Sequence, residues 1–224
     1  MLCEENMHAN ILRRCGYVLI VVGALDIGYM VWCIANEVSY SSSFNIFAVV
    51  GGILLVRGGL KTARWVATFS TFMLAACAAA LFVMPFLYPL GYWMAVFRHG
   101  SGLAGSIVIV AALPALLIWV RQQVLHPAVL QAQLAAGLPA PKIKFATGAG
   151  LALPVLLVTL LGFMFRGETA HEAIRRAQQQ LGGNYQYVVT NMQMNSNMKE
   201  TNVFAIVDAY NDTELKSIQV NWKK

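Results

Sequence analysis

An acidic residue inside an apolar segment is the first candidate for chemistry. Asp26 lies near the middle of residues 16–35, which otherwise carry no charge. An ionised carboxylate in a bilayer costs roughly 3 kcal/mol or more, so we expect Asp26 to be protonated or hydrogen-bonded. Tyr29, Ser70 and Thr71 offer hydroxyl groups for such a bond. The functional interpretation is a proton or ion relay, or a polar contact with a partner helix; the structural one is a helix–helix hydrogen bond.

Two prolines lie inside apolar segments at similar depth. Pro114 and Pro154 should each kink a helix and leave a backbone carbonyl without its usual donor. Paired broken helices occur at transport sites, although the two halves of this chain show no repeat. Simple kinks in a small bundle are therefore favoured. The alternative is a small transporter or ion-coupled membrane protein that uses Asp26 and the kinked spans.

Three methionines near the C-terminus could ligate a metal. Met192, Met194 and Met198 lie close together in the sequence, and thioethers are soft ligands suited to Cu(I). The plainer interpretation is that flexible methionines fill a core or line a strand edge. Periplasmic copper handling is therefore a second alternative function.

Other sequence signatures of catalysis are missing. The four histidines form no HxxxH or HExxH pair, and neither a GxSxG motif nor a glycine-rich nucleotide loop occurs. The four cysteines form no CxxC pair and are typical of small buried residues. The sequence therefore predicts no catalytic residue and no cofactor, and it favours a protein that is not an enzyme.

The composition places these residues in a membrane protein. Of the 224 residues, 58% are hydrophobic and 12% are charged, against about 25% charged in soluble domains. Five apolar stretches approach the ~20 residues of a transmembrane helix, namely 16–35, 41–56, 66–84, 103–120 and 146–165. The second is the shortest, and it fits either a tilted span or a re-entrant segment.

Basic residues predict the orientation of these spans. Eight of them fall on one side if all five stretches cross, and Arg98 alone lies in the opposite short loops. Positive residues favour the cytoplasmic side, so the N-terminus is predicted to be cytoplasmic and the C-terminus periplasmic, in a bacterial inner membrane. With a net charge of +6 but no basic patch interleaved with aromatic residues, nucleic-acid binding is not expected. The eight residues are Arg13, Arg14, Arg57, Lys61, Arg64, Arg121, Lys142 and Lys144.

Two loops carry further signals. The outer loop, residues 85–100, is rich in aromatic side chains that suit the headgroup level of a membrane, namely Tyr88, Tyr92, Trp93 and Phe97. It predicts a short helix lying on the membrane, with a lipid- or quinone-binding ledge as the functional alternative. The inner loop, residues 121–144, predicts a short surface helix near 128–134.

The polar C-terminal segment predicts one helix and three strands. A capping box of Thr169 and Glu172 opens a helix over about 169–181, and Gly182 ends it. Strand-like runs follow at 185–195, 202–210 and 215–222, with a hairpin turn at 211–213. These elements predict a three-stranded antiparallel meander with the helix on one face.

The predicted fold is an α-helical polytopic membrane bundle of about five transmembrane helices, residues 1–165, followed by a small periplasmic α+β domain, residues 166–224. A domain that looks folded but lacks evident catalytic residues favours recognition. The leading hypothesis is a non-enzymatic assembly, anchoring or regulatory subunit that presents this domain to another membrane or periplasmic protein, or to a second copy.

Overall fold

A computed structural model describes residues 2–36, 45–99, 103–197 and 200–223, with side chains described for 7–36, 46–99, 111–195 and 201–223. The chain is mostly helical and ends in a three-stranded antiparallel sheet. The helices are α1 Leu2–Ala35, α2 Asn45–Val56, α3 Leu60–Val83 continued by a 3-10 turn Met84–Phe86, α4 Leu90–His99, α5 Leu103–Val124, α6 Pro127–Ala135, α7 Ile143–Phe165 and α8 Glu168–Leu181. The strands are β1 Gln186–Asn197, β2 Glu200–Tyr210 and β3 Leu215–Lys223.

Three helical segments are long and apolar enough to cross a membrane: Met7–Ala35, Leu60–Phe86 and Ile143–Phe165. Helix α2 has 12 residues, which rise about 18 Å against the ~30 Å of a hydrocarbon core. The start of the predicted second span, residues 41–44, lies outside the described residues, and the predicted fourth span falls on α5, whose side chains are described only from residue 111. The described residues therefore do not confirm the predicted count of five.

Each of the three long segments has an exposed aromatic side chain towards either end. The pairs are 15, 17 and 18 residues apart, or about 22–27 Å along a helix. Trp and Tyr concentrate at the two interfaces of a bilayer, so the Tyr17–Trp32 pair matches a membrane-spanning role. In chain order the six side chains are Tyr17 and Trp32, Trp65 and Phe82, and Phe145 and Phe163, between 54% and 74% exposed.

One compact unit comprises residues 1–77 and 111–151. Its buried cluster takes residues from the starts of α1 and α3, the ends of α2 and α5, and α6. Helices α1 and α2 touch through glycines: a Cβ on Gly16 would lie 2.6 Å from the Gly52 carbonyl oxygen, and a Cβ on Gly52 would lie 2.7 Å from that of Gly16. Small residues allow helices to approach this closely. Members of the cluster include Leu12, Cys15, Leu55, Ala63, Val124 and Val129.

The second compact unit comprises residues 78–110 and 152–224 and contains the sheet. The strand order is β1-β2-β3, with Met192 opposite Ala205 and Ala205 opposite Val220, and a bulge interrupts β1 between Val189 and Asn191. Helix α8 packs on one face of the sheet, as predicted, and contacts it through alanine side chains. The buried residues of this contact are Ala170, Ala173 and Ala177 from the helix and Val189, Ala205, Val207 and Val220 from the sheet.

The predicted capping box is wrong. Helix α8 begins at Glu168, and its N-cap is Gly167 without a side-chain cap bond. The Glu172 carboxylate instead accepts from Arg175, at 3.0 Å, and Arg176, at 2.8 Å. Cations three and four residues further along the helix compete for this carboxylate, and the earlier start places Thr169 inside the helix. The predicted stop is confirmed, because Gly182 has a φ of +88°.

These ion pairs predict that the stability of the C-terminal unit falls in acid. Hydrogen bonds from Arg175 and then Arg176 lower the pKa of Glu172. A depressed folded-state pKa gives stabilisation that is present above the unfolded value, about 4.3, and is lost as the pH falls through the folded value. We therefore expect a modest drop in melting temperature below about pH 4 in the detergent-solubilised chain.

The comparison variants are Glu172→Gln and Asp212→Asn. The first should weaken the acid dependence of the melting temperature but not abolish it, because the hydrogen bond from Lys216 also lowers the pKa of Glu214. The second should leave it unchanged, because Asp212 forms no ion pair among the described residues. Equal acid profiles for wild type and Glu172→Gln would contradict the prediction.

Candidate binding surface on the C-terminal sheet

Helix α4 packs on the sheet face opposite α8. Tyr92 and Ala95 of the helix and Tyr210 of β2 form a buried cluster, bordered by Val188 and Leu215. The Tyr92 and Tyr210 rings meet edge to face, with centroids 5.6 Å apart. The register places Tyr210 opposite Leu215, beside the β2–β3 turn. Helix α4 therefore covers the turn end of this face.

A buried carboxylate anchors this contact. The Tyr92 hydroxyl donates to one oxygen of Asp208 at 2.8 Å, and the Ser217 hydroxyl donates to the other at 2.6 Å. Asp208 is only 8% exposed, and a buried carboxylate needs such donors to offset its lost hydration. The two hydroxyls therefore connect α4, β2 and β3 through one side chain.

The electrostatics of this group favour a structural role. Burial, and then the hydrogen bond to Asp208, raise the pKa of Tyr92 above its ordinary value. The phenol therefore keeps its proton at neutral pH and acts as a donor. Since both carboxylate oxygens are already hydrogen-bonded, this arrangement positions α4 rather than offering an activated nucleophile.

The rest of the same sheet face is more exposed among the described residues, and we call it the open half. Phe204 and Ile206 of β2 are half-buried, whereas Asp208 and Tyr210 further along the strand are buried. Exposed amide side chains flank them on both neighbouring strands, namely Asn191, Gln193, Gln219 and Asn221. An apolar centre with a polar rim is the usual anatomy of a protein–protein interface.

A cleft of about 350 Å³ lies beside α4 at the turn end of the sheet. Its walls mix apolar side chains such as Met94 with polar ones that include Arg98 of α4, Tyr185 and Asp212. The Tyr185 hydroxyl donates to Glu214, which lies outside the lining and pairs with Lys216 at 2.7 Å. The described residues contain no group of three His, Cys, Asp or Glu side chains that could hold a metal ion. The cleft therefore offers hydrogen bonds and charge but no such metal site.

The structure places Asp26, half-buried, in α1. The Ser70 and Thr71 hydroxyls both donate to the Ala67 carbonyl, at 3.2 and 2.8 Å, so their protons are already used. Thr71 also accepts from the Arg121 side chain at 3.2 Å; the sequence had placed this arginine in a loop. The relay function of Asp26 stays a prediction.

The prolines and methionines occupy separate elements. Pro114 and Pro154 lie inside the continuous helices α5 and α7. Met192 packs against the core between α8 and the sheet, and Met194 lies on the same sheet face but is 51% exposed. Met198 lies outside the described residues. Copper binding and a transport pathway stay predictions.

The four aromatic residues of the outer loop divide between two settings. The loop contains the predicted short helix, α4. Tyr88 and Tyr92 belong to the cluster between α4 and the sheet, and the centroids of their two rings lie 5.1 Å apart. Trp93 is half-buried. Phe97 is 66% exposed. The position of α4 on a membrane surface stays a prediction.

The sequence patterns did not indicate Asp208, Ser217 or Tyr210 as functional residues. One signal was present: Asp208 is the only charged residue in the run 203–210, which is otherwise apolar. An acid in such a strand calls for a buried donor, but the donor on Tyr92 lies 116 residues away.

Searches of protein-family models, curated proteins and solved structures gave no match for this chain.

Proposed function

We propose that the protein is a non-enzymatic membrane subunit, with an assembly, anchoring or regulatory role, that presents its C-terminal α+β domain to a protein partner. The observation that carries this proposal is the open half of the sheet face around Phe204 and Ile206. A domain with no function in recognition would gain stability by covering these side chains.

Helix α4 indicates which kind of partner fits this face. It binds the turn end through an aromatic side chain, Tyr92, and a small one, Ala95. The open half has the same pattern of an apolar strand centre between polar neighbours. We infer that the partner contributes an amphipathic helix with an aromatic anchor, whose backbone or polar side chains bond to the amide rim.

The proposal includes a topology of five spans, with α2 and α5 as the additional two and basic loops in the cytoplasm. The buried cluster that joins the starts of α1 and α3 to the ends of α2 and α5 supports it, because alternating spans bring those ends together. The predicted basic loops flank these ends. The proposed location is a bacterial inner membrane, with residues 1–165 as the bundle and 166–224 in the periplasm.

A photo-activated cross-linker at position 204 tests the partner site in native membranes. We expect an adduct heavier than the chain, formed with a different protein. A cross-linker at Gln179, on the exposed side of α8, is the matched control and should give no adduct. Replacement Phe204→Gln should lower co-purification of that partner roughly tenfold, as for a central aromatic anchor.

Two results would contradict this function. The first is a chain that purifies alone in mild detergent and gives no adduct at position 204 while remaining folded. The second is equal adduct formation from positions 204 and 179, which would indicate non-specific contact.

A further inference from the structure

We propose that β1 pairs antiparallel with β1 of a second copy of this chain, about a twofold axis at Gln193. This inference goes beyond the proposed function, because it concerns the edge of the sheet and not the face around Phe204. It starts from the strand order, which leaves β1 and β3 at the two edges.

The two edge strands differ in how well they are protected against pairing with other strands. Exposed edges pair with other strands unless charges, prolines or bulges prevent it. Strand β3 carries Lys216 and Lys223, one near each end. Strand β1 has 12 residues without a charge or a proline, and its bulge lies between Val189 and Asn191. An unprotected edge therefore begins at Asn191.

The sequence of this edge matches itself when reversed. Residues 191–195 read Asn-Met-Gln-Met-Asn. An antiparallel pair centred on Gln193 places Asn191 opposite Asn195 of the other copy, Met192 opposite Met194, and Gln193 opposite Gln193. Like charges opposite each other destabilise a sheet, and this register brings none together. The amides on the other face can bond across the junction, as in amide ladders.

The pairing also explains an exposed methionine. Met192 and Met194 lie on the face that α8 covers, but Met194 extends past the core and is 51% exposed. In an antiparallel pair centred on a residue, opposite side chains lie on the same face of the sheet. The faces that α8 covers in the two copies therefore lie on the same side. Met194 would then lie beside Met192 of the second copy, and the thioethers would cover one another.

The symmetry closes the assembly at two copies. Each copy uses the same edge, so the contact is isologous and does not propagate. The result is a six-stranded sheet whose outer edges are the two β3 strands with their lysines. Pairing of β1 with β3 would instead extend without end and would bring those lysines into the contact.

Cysteine cross-linking of the full chain in native membranes tests this pairing. Opposite residues of an antiparallel pair have Cβ atoms about 4.5–5.5 Å apart, close to the separation within a disulfide. With an oxidant, Gln193→Cys should give a reducible species of twice the chain mass. Gln219→Cys, also exposed but on β3, should give none, and wild type accounts for the four native cysteines.

A second variant tests the pairing by weakening it, without the use of a cross-link. Gln193→Lys places two like charges opposite each other and should weaken dimerisation roughly fivefold in mild detergent, whereas Gln219→Lys should not. Three results would overturn the proposal: no dimer from a folded Gln193→Cys chain, equal dimer from both cysteine variants, or a disulfide to a different protein. If such a result accompanies an intact Phe204 adduct, it overturns the pairing alone.

Discussion

Replacement of Gly52 by alanine is expected to destabilise the first compact unit by about 3 kcal/mol. The added Cβ would lie 2.7 Å from the Gly16 carbonyl oxygen and 3.0 Å from the Ile20 amide nitrogen. Both atoms belong to the α1 backbone, so no side-chain rotation relieves the clash. The two helices must separate, and the dispersion contacts along their interface weaken together. Chemical denaturation in mixed micelles measures the loss.

The neighbouring glycine is the matched control. Among the described residues, a Cβ on Gly51 would meet only a Val66 methyl group, at 3.8 Å, an ordinary contact distance. Gly51→Ala should therefore not destabilise the unit and should stabilise it by up to about 1 kcal/mol, because alanine is favoured over glycine inside a helix. Gly16→Ala should resemble Gly52→Ala, and the double variant should cost less than the sum because both changes separate the same helices. Equal stability of the Gly51 and Gly52 variants would show that α1 and α2 do not touch at this point.

This contact illustrates what sequence patterns can and cannot predict. Apolar length predicted α1, α3 and α7, and strand-like runs predicted the three strands, because both signals are local. A glycine in an apolar helix has the same appearance whether it faces lipid or another helix. In the part of the chain that the structure describes, Gly28 has nothing within 4 Å of its Cβ position, whereas Gly16 has no room for a Cβ. Only the packing distinguishes the two.

The candidate surface was predictable in part for the same reason. Alternation along β3 groups Ile218, Val220 and Trp222 on one face, which is the face that α8 covers. It could not show that α4 covers only half of the opposite face, since that depends on residues distant in sequence. The predicted capping box was wrong for a different reason. The local sequence pattern was present, but the Glu172 carboxylate accepts hydrogen bonds from Arg175 and Arg176 instead.

Removing the Tyr92 hydroxyl is expected to loosen α4 from the sheet. Tyr92→Phe leaves one buried oxygen of Asp208 without its donor and should cost about 1.5–3 kcal/mol, as for hydrogen bonds to charged groups. Tyr92→Ala also removes the ring that meets Tyr210 and should cost about 3–5 kcal/mol. Amide hydrogen exchange over residues 90–99 measures this effect locally, and thermal unfolding measures it for the whole chain.

Tyr88→Phe is the matched control, because the Tyr88 ring lies in the same cluster but its hydroxyl makes no hydrogen bond among the described residues. Faster exchange in Tyr92→Phe alone would show that the bond to Asp208 holds the helix. Combining Tyr92→Phe with Asp208→Asn isolates the pair, since an amide loses less than a carboxylate when its donor is removed. The double variant should therefore be more stable than the sum of the two single losses predicts. Strictly additive losses would mean that ring packing alone holds α4, because a hydrogen bond between the two side chains requires their effects to depend on each other.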